Sequence, residues 1–521
     1  MNNQENHKVV LLILDGWGLS AAWNGNAIKL ANPANYNYLW QTYPHWALKS
    51  FDQTVNTDDQ ILSQGLGYGV ISSGRFLNSV YSYIQNKLDN NEITHSSAIS
   101  DAMQNCKNNN SALHLCGLVS DNKNLSHFRQ IIPIIRLAKN IDIKKLYLHL
   151  ILDSDSLNDM SQLAMISEIE KEIEKNNLGK IASVSGRNWS LDGEANFERI
   201  IQTYRTIALG EGRNGLDIKQ ILQSNSERNV SCENITPTAI IESNKPVGRV
   251  NDFDSLIFFN FDDKSLRSLT SIFIGQDKAI RRKEVYNINV VTFSDYFYIG
   301  DKGGCKVAFK RDDLKPNLPH LLLENNKSQL YLVSDIKYEH LSFYFNGGVL
   351  ETKSKVDFKT ISSNNESYGL RELVTNLIQA IKTNSHSFIV AGIGNCDYIA
   401  HCSKIKHVAD SVKEVDSYLG EIEMAALDSG YTLIISSDHG FIEQLANLPL
   451  DAKAISHSKN PVPAIIIEKG KAKQAFNNST VKDQNLSEIL STNNSMQDIA
   501  PTILKIFEID KPVEMRGSSL I

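Results

Sequence analysis

Short apolar runs alternate with longer segments of helical period from one end of the chain to the other. Apolar runs bounded by turn formers read as buried strands, and apolar residues recurring at three and four positions read as amphipathic helices. The strands expected on this basis are Val9–Leu14, Leu113–Val119, Leu146–Leu152, Ile181–Val184, Leu256–Phe261, Phe388–Val390, Thr432–Ser436 and Ala464–Ile467. Helices are expected over Arg129–Asn140, Asn158–Asn176 and Tyr368–Lys382. Within the second, the mixed-charge stretch Ile166–Lys175 reads as a solvated face with i,i+4 pairs. Strand–helix alternation of this kind predicts an α/β fold with mostly parallel sheets.

A chain of 521 residues exceeds one ordinary domain. Breaks fall near residue 80 and in the Gly/Lys/Pro-rich stretch Gly300–Pro319. No period of 20–50 residues recurs along the chain, which argues against a solenoid. The Asn/Ser-rich patches Asn108–Ser111, Asn325–Ser328 and Asn477–Asn494 read as solvated loops. Residues of metal-ligand type lie only before the first break or after the second. The organisation expected is therefore a discontinuous domain, 1–79 with 313–521, that carries a metal site, and a second α/β domain, 80–312, inserted into it.

Composition changes this picture little. A hydrophobic fraction of 41%, a charged fraction of 21% and a net charge of −6 suit a soluble globular protein with no pull towards nucleic acid or an anionic membrane. The run Val9–Leu14 is too short for a signal segment or a membrane span. The six cysteines, Cys106, Cys116, Cys232, Cys305, Cys396 and Cys402, have no CxxC spacing and no disulfide-framework density. A cytoplasmic monomer, free of nucleic-acid and membrane partners, is expected.

The candidate chemistry is a set of carboxylates and imidazoles. Asp15 follows an apolar strand, at the carboxyl end where open α/β sheets place their ligands. Asp397 and His401, in CDYIAH, stand four apart and share a face if helical. Asp438 and His439 follow the strand TLIIS, and His457 precedes AIII. Each has a plainer reading alone: a turn residue, a helix-surface pair, a loop histidine. Their conjunction points to divalent cations, with Mn²⁺ or Zn²⁺ suited better than Ca²⁺ by mixed oxygen and nitrogen ligands. Two such ions about 4 Å apart would stabilise the entering and leaving oxygens of a phosphoryl transfer.

These residues sit in motifs that resemble the cofactor-independent (2,3-bisphosphoglycerate-independent) phosphoglycerate mutase family, of the alkaline phosphatase superfamily. The resemblance runs through VVLLILDGWG and GNAIKLAN, LHLCGLVSD, KIASVSGR and ALGEG, KYEHLSFYFNGG, DYIAH, SSDHG and SHSKNPVP, to DIAPTILKIFEIDKPVEMRGSSLI. It implies an alkaline-phosphatase-like metal domain and an inserted domain that orients glycerate. The implied reaction is interconversion of 3-phosphoglycerate and 2-phosphoglycerate in glycolysis, through a transiently phosphorylated serine. The implied cofactors are two divalent metals, Mn²⁺ first, with Zn²⁺ or Mg²⁺ as alternatives. One would be held by Asp397, His401 and His457, the other by Asp15, Asp438, His439 and the serine.

The chain departs from the family where chemistry is done. The family's QMGNSEVGH becomes QILSQGLGY, which puts Gln64 at the nucleophile and Ser63 one place early. An amide cannot form and release a phosphoenzyme, because it has no ionisable hydroxyl. The substrate-side histidine of VHSH falls on Leu125, leaving His127. GRD becomes Ser154-Asp155-Ser156, the second arginine after SGR falls on Gly193, and the FRPDR arginines fall on Asp262 and Ser265. Arg187 and Lys337 are retained. Each lost phosphate or carboxylate contact costs on the order of 2–4 kcal/mol in the transition state. The expectation is a family member with altered or absent mutase activity that still binds metal and a small phosphorylated metabolite. The alternatives are a phosphoester hydrolase using metal-bound hydroxide, and residual mutase activity through Ser63.

Overall fold

The computed structural model describes residues 7–50, 65–77, 80–121, 125–154, 160–191, 196–261, 265–275, 287–295, 305–310, 314–347, 355–364, 368–445, 457–471 and 493–521. The chain divides into two compact units. One comprises Met1–Ser79 with Asp313–Ile521, the other Val80–Asp312. Gln64, Ser63, Asp155, Ser156, Gly193 and Asp262 lie outside the described residues.

The first unit begins with β1 (Val9–Leu14) and β2 (His45–Leu48). The inserted unit contributes β3 (Leu113–Val119), β4 (Leu146–Leu152), β5 (Lys180–Gly186), β6 (Arg213–Gly215), β7 (Thr238–Glu242), β8 (Lys245–Pro246), β9 (Ser255–Phe258), β10 (Asn289–Thr292) and β11 (Cys305–Val307). The chain then returns with β12 (Gln329–Ser334), β13 (Val356–Ile361), β14 (Phe388–Ile393), β15 (Thr432–Ser436) and β16 (Val462–Ile467).

In the first unit the strands run in the order β13-β12-β14-β1-β15-β16-β2. The first five are parallel, and β16 and β2 join antiparallel at one edge. β1 is buried along its whole length, as a central parallel strand covered on both faces must be. Its side chains alternate between two cores. Val10, Leu12 and Leu14 pack with the helices Leu370–Thr383 and Ile405–Asp428. Val9, Leu11 and Ile13 pack with Leu66–Ser73 and Ile499–Ile506. The long helix also serves its neighbour: Asp416 accepts from the backbone N–H groups of Asn35 at 3.1 Å and Tyr36 at 2.7 Å. That carboxylate caps the helix Ala34–Thr42, whose own N-cap, Pro33, has no side-chain acceptor.

The inserted unit has the order β11-β10-β9-β3-β4-β5-β7-β6, with β8 paired to β7. It is parallel except that β7 is antiparallel to both β5 and β8. One polar chain crosses its core. Asp254 faces His114 Nε2 at 3.1 Å, His114 Nδ1 faces His149 Nε2 at 3.0 Å, and His149 Nδ1 faces Ser183 Oγ at 2.8 Å. The carboxylate can only accept, so it sets the direction. His114 donates to Asp254, His149 donates to His114, and the Ser183 hydroxyl donates to His149. Every member is buried, and each is satisfied without a protonated ring. Burial, and then the neighbouring His114, hold His149 well below its ordinary pKa.

The pattern-based expectations meet the structure unevenly. Leu256–Phe261 is strand only to Phe258. The helix expected from Arg129 opens with a 3₁₀ turn over Phe128–Ile131 and becomes α-helical at Ile132, next to Pro133. Asn108 and Asn109 belong to the helix Ser97–Asn109, which Asn110 ends in the left-handed conformation. The stretch Ile166–Lys175 is not a solvated face. Its helix, Met160–Asn176, buries Ile166, Ile169 and Glu172, and its main ion pairs reach across to Arg129 and Arg136.

Glu172 takes a bidentate contact from Arg136, at 2.7 and 2.9 Å, and a further bond from Asn176. The Arg136 hydrogen bonds, opposed by burial and aided by Asn176, hold its carboxyl down to about 2. A depressed carboxyl stabilises the fold above its ordinary value near 4.5 and loses that contribution as pH falls towards 2. Because Arg136 is half-exposed, the effect is discounted to about 1 kcal/mol. Glu172→Gln should cost that much at pH 7, and denaturant titrations at stepped pH should show the difference shrinking below 4.5. A difference that stayed constant down to pH 3 would mean that the charge contributes nothing.

Candidate metal centre

Three adjacent strands, β14, β1 and β15, end beside one another, and each delivers an aspartate. Asp15 is the first residue beyond β1, and its N–H bonds to the Ile393 carbonyl at the end of β14. Asp397 lies in the helix Asn395–Cys402 that leaves β14, with His401 one turn on. Asp438 and His439 follow β15 after Ser437. His457 enters from the loop before β16, where Ser458 bridges to Gly440. Close approach explains two glycines here. A Cβ at Gly67 would lie 2.0 Å from the Asp438 carbonyl oxygen. Gly16 adopts φ +75°, in the left-handed region, and a Cβ there would lie 3.2 Å from that of Asp397.

The six expected ligands converge. His401 Nε2 lies 3.5 Å from Asp397 Oδ1, and His439 Nε2 lies 3.8 Å from the same oxygen and 3.3 Å from Asp438 Oδ2. The rings of His439 and His457 stack at 3.7 Å. Asp397, His401 and His457 offer ligand atoms that all lie within 4.8 Å of one another, a group able to hold a metal ion. The donor set fits such an ion. Asp397 Oδ1, Asp438 Oδ2, His439 Nδ1 and His457 Nδ1 are buried with no hydrogen-bond partner, an arrangement that costs free energy unless something occupies it.

Lys337 stands among these acids. It ends the 3₁₀ turn Asp335–Lys337 after β12, and its Nζ lies 2.7 Å from Asp397 Oδ2 and 3.1 Å from Asp15 Oδ2. Burial pushes the Asp397 carboxyl upward, but the Lys337 ammonium and then the three histidines overcome this and hold it well below the usual range. Asp15 and Asp438 go the other way. Burial and then the neighbouring Asp438 raise Asp15, and burial, opposed by Lys337 and reinforced by Asp397, lifts Asp438 to about 7. Burial lowers His439 to about 4 and, with His439 beside it, lowers His457. Neutral imidazoles beside an ionised carboxylate are the protonation state that a dication requires.

Two residues that pattern and motif did not single out complete the centre. The fully buried Tyr68 donates its hydroxyl to Asp15 Oδ1 at 2.5 Å. The available signal was that the last position of QMGNSEVGH, histidine in the family, is Tyr68 here. Glu443 is completely buried and accepts from Gly18 N–H at 3.1 Å, Phe441 N–H at 2.7 Å, Asn460 Nδ2 at 2.9 Å and the Ser458 hydroxyl. It therefore ties the turn after β1, the loop carrying His439 and the loop carrying His457. Its signal was a lone acid in the otherwise uncharged stretch GFIEQL.

A curated relative from Clostridium novyi, a 2,3-bisphosphoglycerate-independent phosphoglycerate mutase, is 30% identical over 520 residues, covering 98% of this chain and 99% of its own. The chain belongs to the 2,3-bisphosphoglycerate-independent phosphoglycerate mutase family. The family model described as BPG-independent PGAM N-terminus matches residues 84–297. A family member from Listeria innocua is 29% identical over 529 residues, covering 98% and 99%. A solved structure of Leishmania mexicana phosphoglycerate mutase, obtained at low cobalt concentration, shares the fold with a TM-score of 0.76 at 18% identity, covering 99% of this chain and 98% of that one. Among the described residues no helix is long and apolar enough to cross a membrane.

Of the substrate-side residues, Lys337 belongs to the metal unit, while Arg187 and His127 belong to the inserted unit. Arg187 begins a short helix directly after β5 and bonds through Nη1 to Asp153, which also accepts from Ser120 Oγ at 2.9 Å. His127 precedes the 3₁₀ turn Phe128–Ile131, its ring 5.3 Å from that of Tyr81. Leu125 packs against an apolar cluster, and Ser265 accepts from Asn260.

Glu443→Ala would remove the shared acceptor of two buried backbone donors and two half-buried side-chain donors, so a loss on the order of 3 kcal/mol is expected. Thermal unfolding should show it, together with weaker Mn²⁺ binding, whereas Glu443→Gln should recover part of both. Unchanged Mn²⁺ affinity in Glu443→Ala would separate this carboxylate from the metal loops.

Proposed function

We propose that this family member retains a divalent cation at Asp397, His401 and His457 and has lost turnover of phosphoglycerate. The observation that carries the first half is the convergence of those three side chains around the unpartnered Asp397 Oδ1. By resemblance the cation is Mn²⁺. When bound, such an ion supplies positive charge to phosphoryl oxygens. Asp397, His401 and His457 would hold it, and Glu443 would keep the loop that carries His457 in place.

The second half rests on chemistry at named positions. The family reaction passes phosphate through a serine, and residue 64 is glutamine. The two retained cations already hold carboxylates, Lys337 those of Asp15 and Asp397 and Arg187 that of Asp153. Phosphoglycerate is a polyanion best gripped by bidentate arginines, and the family's positions for them carry Asp155, Gly193, Asp262 and Ser265.

A coupled assay for 2-phosphoglycerate formation with Mn²⁺ present should show no rate above background, and Gln64→Ser should not restore one. Mn²⁺ should nevertheless raise the unfolding temperature, and His457→Ala should abolish that rise. Mutase turnover that disappears in Ser63→Ala would overturn the loss of function. The preserved ligand set also favours a second reading, phosphoester hydrolysis. Turnover of p-nitrophenyl phosphate that Asp438→Ala removes would establish it.

A further inference from the structure

We propose that the buried chain Asp254–His114–His149–Ser183 in the inserted unit is a proton-sensitive latch that pins β4 against β5 and releases it in mild acid.

The latch sits at a flaw in the ladder. β4 and β5 pair in parallel, Leu148 beside Ile181 and then His149 beside Ser183, which leaves Ala182 as an extra residue. A bulge of this kind interrupts the backbone ladder, and register there needs another support. The bond from Ser183 Oγ to His149 Nδ1, at 2.8 Å, crosses between the strands at that point. The next residues after these two strands are Asp153 and Arg187, which form an ion pair. The register that the latch fixes is therefore also the one that brings that pair together.

The response to a proton follows from which ring has a counter-ion. His114 touches Asp254, whose oxygens also accept the N–H groups of Ala112 at 2.6 Å and Asn251 at 2.7 Å. Near Asp254 and His114 stand two further titratable groups, the Cys106 thiol on the helix Ser97–Asn109 and the Tyr147 phenol on β4. His149 bonds only to His114 on β3 and Ser183 on β5. Its face of the sheet also carries the Cys116 thiol, opposite it on β3, and the Tyr204 phenol on the helix Phe197–Leu209. Among the described residues no carboxylate bonds to His149. A proton on its Nδ1 would turn the Ser183 hydroxyl from donor to acceptor and bury an imidazolium that nothing offsets.

Burial, and then His114, accordingly hold His149 well below its ordinary value near 6.5. Below that value the unfolded ring binds a proton that the folded ring refuses. The folded state then loses up to about tenfold per pH unit, until the pH reaches the folded value.

Hydrogen exchange of the full-length protein between about pH 7.5 and about pH 5, corrected for the intrinsic effect of pH, reads this loss. Protection of β4 and β5 should fall by up to about tenfold per pH unit below 6.5. His149→Gln offers His114 a donor and Ser183 an acceptor but cannot titrate, so its β4 and β5 should keep their protection across the range. Nitrogen-15 NMR of the histidine rings in the unaltered protein is a second readout, independent of whether that variant folds. His149 should carry a proton on Nε2 alone until protection is lost. Constant protection in the unaltered protein, or an equal loss in a folded His149→Gln, would overturn the proposal. So would a His149 ring that takes its second proton while β5 stays protected.

Discussion

Like charges brought to one edge of a buried sheet must be compensated, and this constraint orders the metal unit. Strands in a sheet lie about 4.8 Å apart, so acids at the ends of adjacent strands cannot avoid one another. Four neighbours in sheet order, β12, β14, β1 and β15, lead to Lys337, Asp397, Asp15 and Asp438. The lysine stands at one end of this row, three aspartates follow it, and the histidines close the open side. Asp397, which touches both Lys337 and the imidazoles, stays ionised, while Asp15 and Asp438 are driven towards the protonated form. The sheet order thus produces an electrostatic gradient along its own edge.

Holding that edge rigid falls to Glu443. Three separate stretches of chain carry Asp15, His439 and His457, and loops left to themselves would not keep ligands within the tolerance a cation demands. One buried carboxylate with four donors binds all three stretches. Because several donors converge on it, the network is strong as a whole and vulnerable at one residue.

The parts of this structure legible in the sequence are those set by local pattern. β1, β3, β4 and β15 begin and end where their apolar runs do, because each is buried on both faces and bounded by polar or turn residues. The acids and histidines that converge at the strand ends were legible as residue types at strand ends and at helical spacing. Edge strands such as β2 and β8 were not, being four and two residues long with no alternation to read. Glu172 looked solvated because helical periodicity does not know that Arg136 stands on the next helix. Tyr68 and Glu443 were hidden for a similar reason: a buried phenol or carboxylate has meaning only through partners that no local period reveals, Asp15 for Tyr68 and Gly18, Ser458 and Asn460 for Glu443.

The two units solve charge differently. In the inserted unit Ser120, Asp153 and Arg187 lie beyond β3, β4 and β5, the same carboxyl edge that the metal unit uses. Among the described residues there, one carboxylate meets one guanidinium. In the metal unit one ammonium meets three carboxylates, and burial with mutual repulsion pushes two of them, Asp15 and Asp438, towards the protonated form.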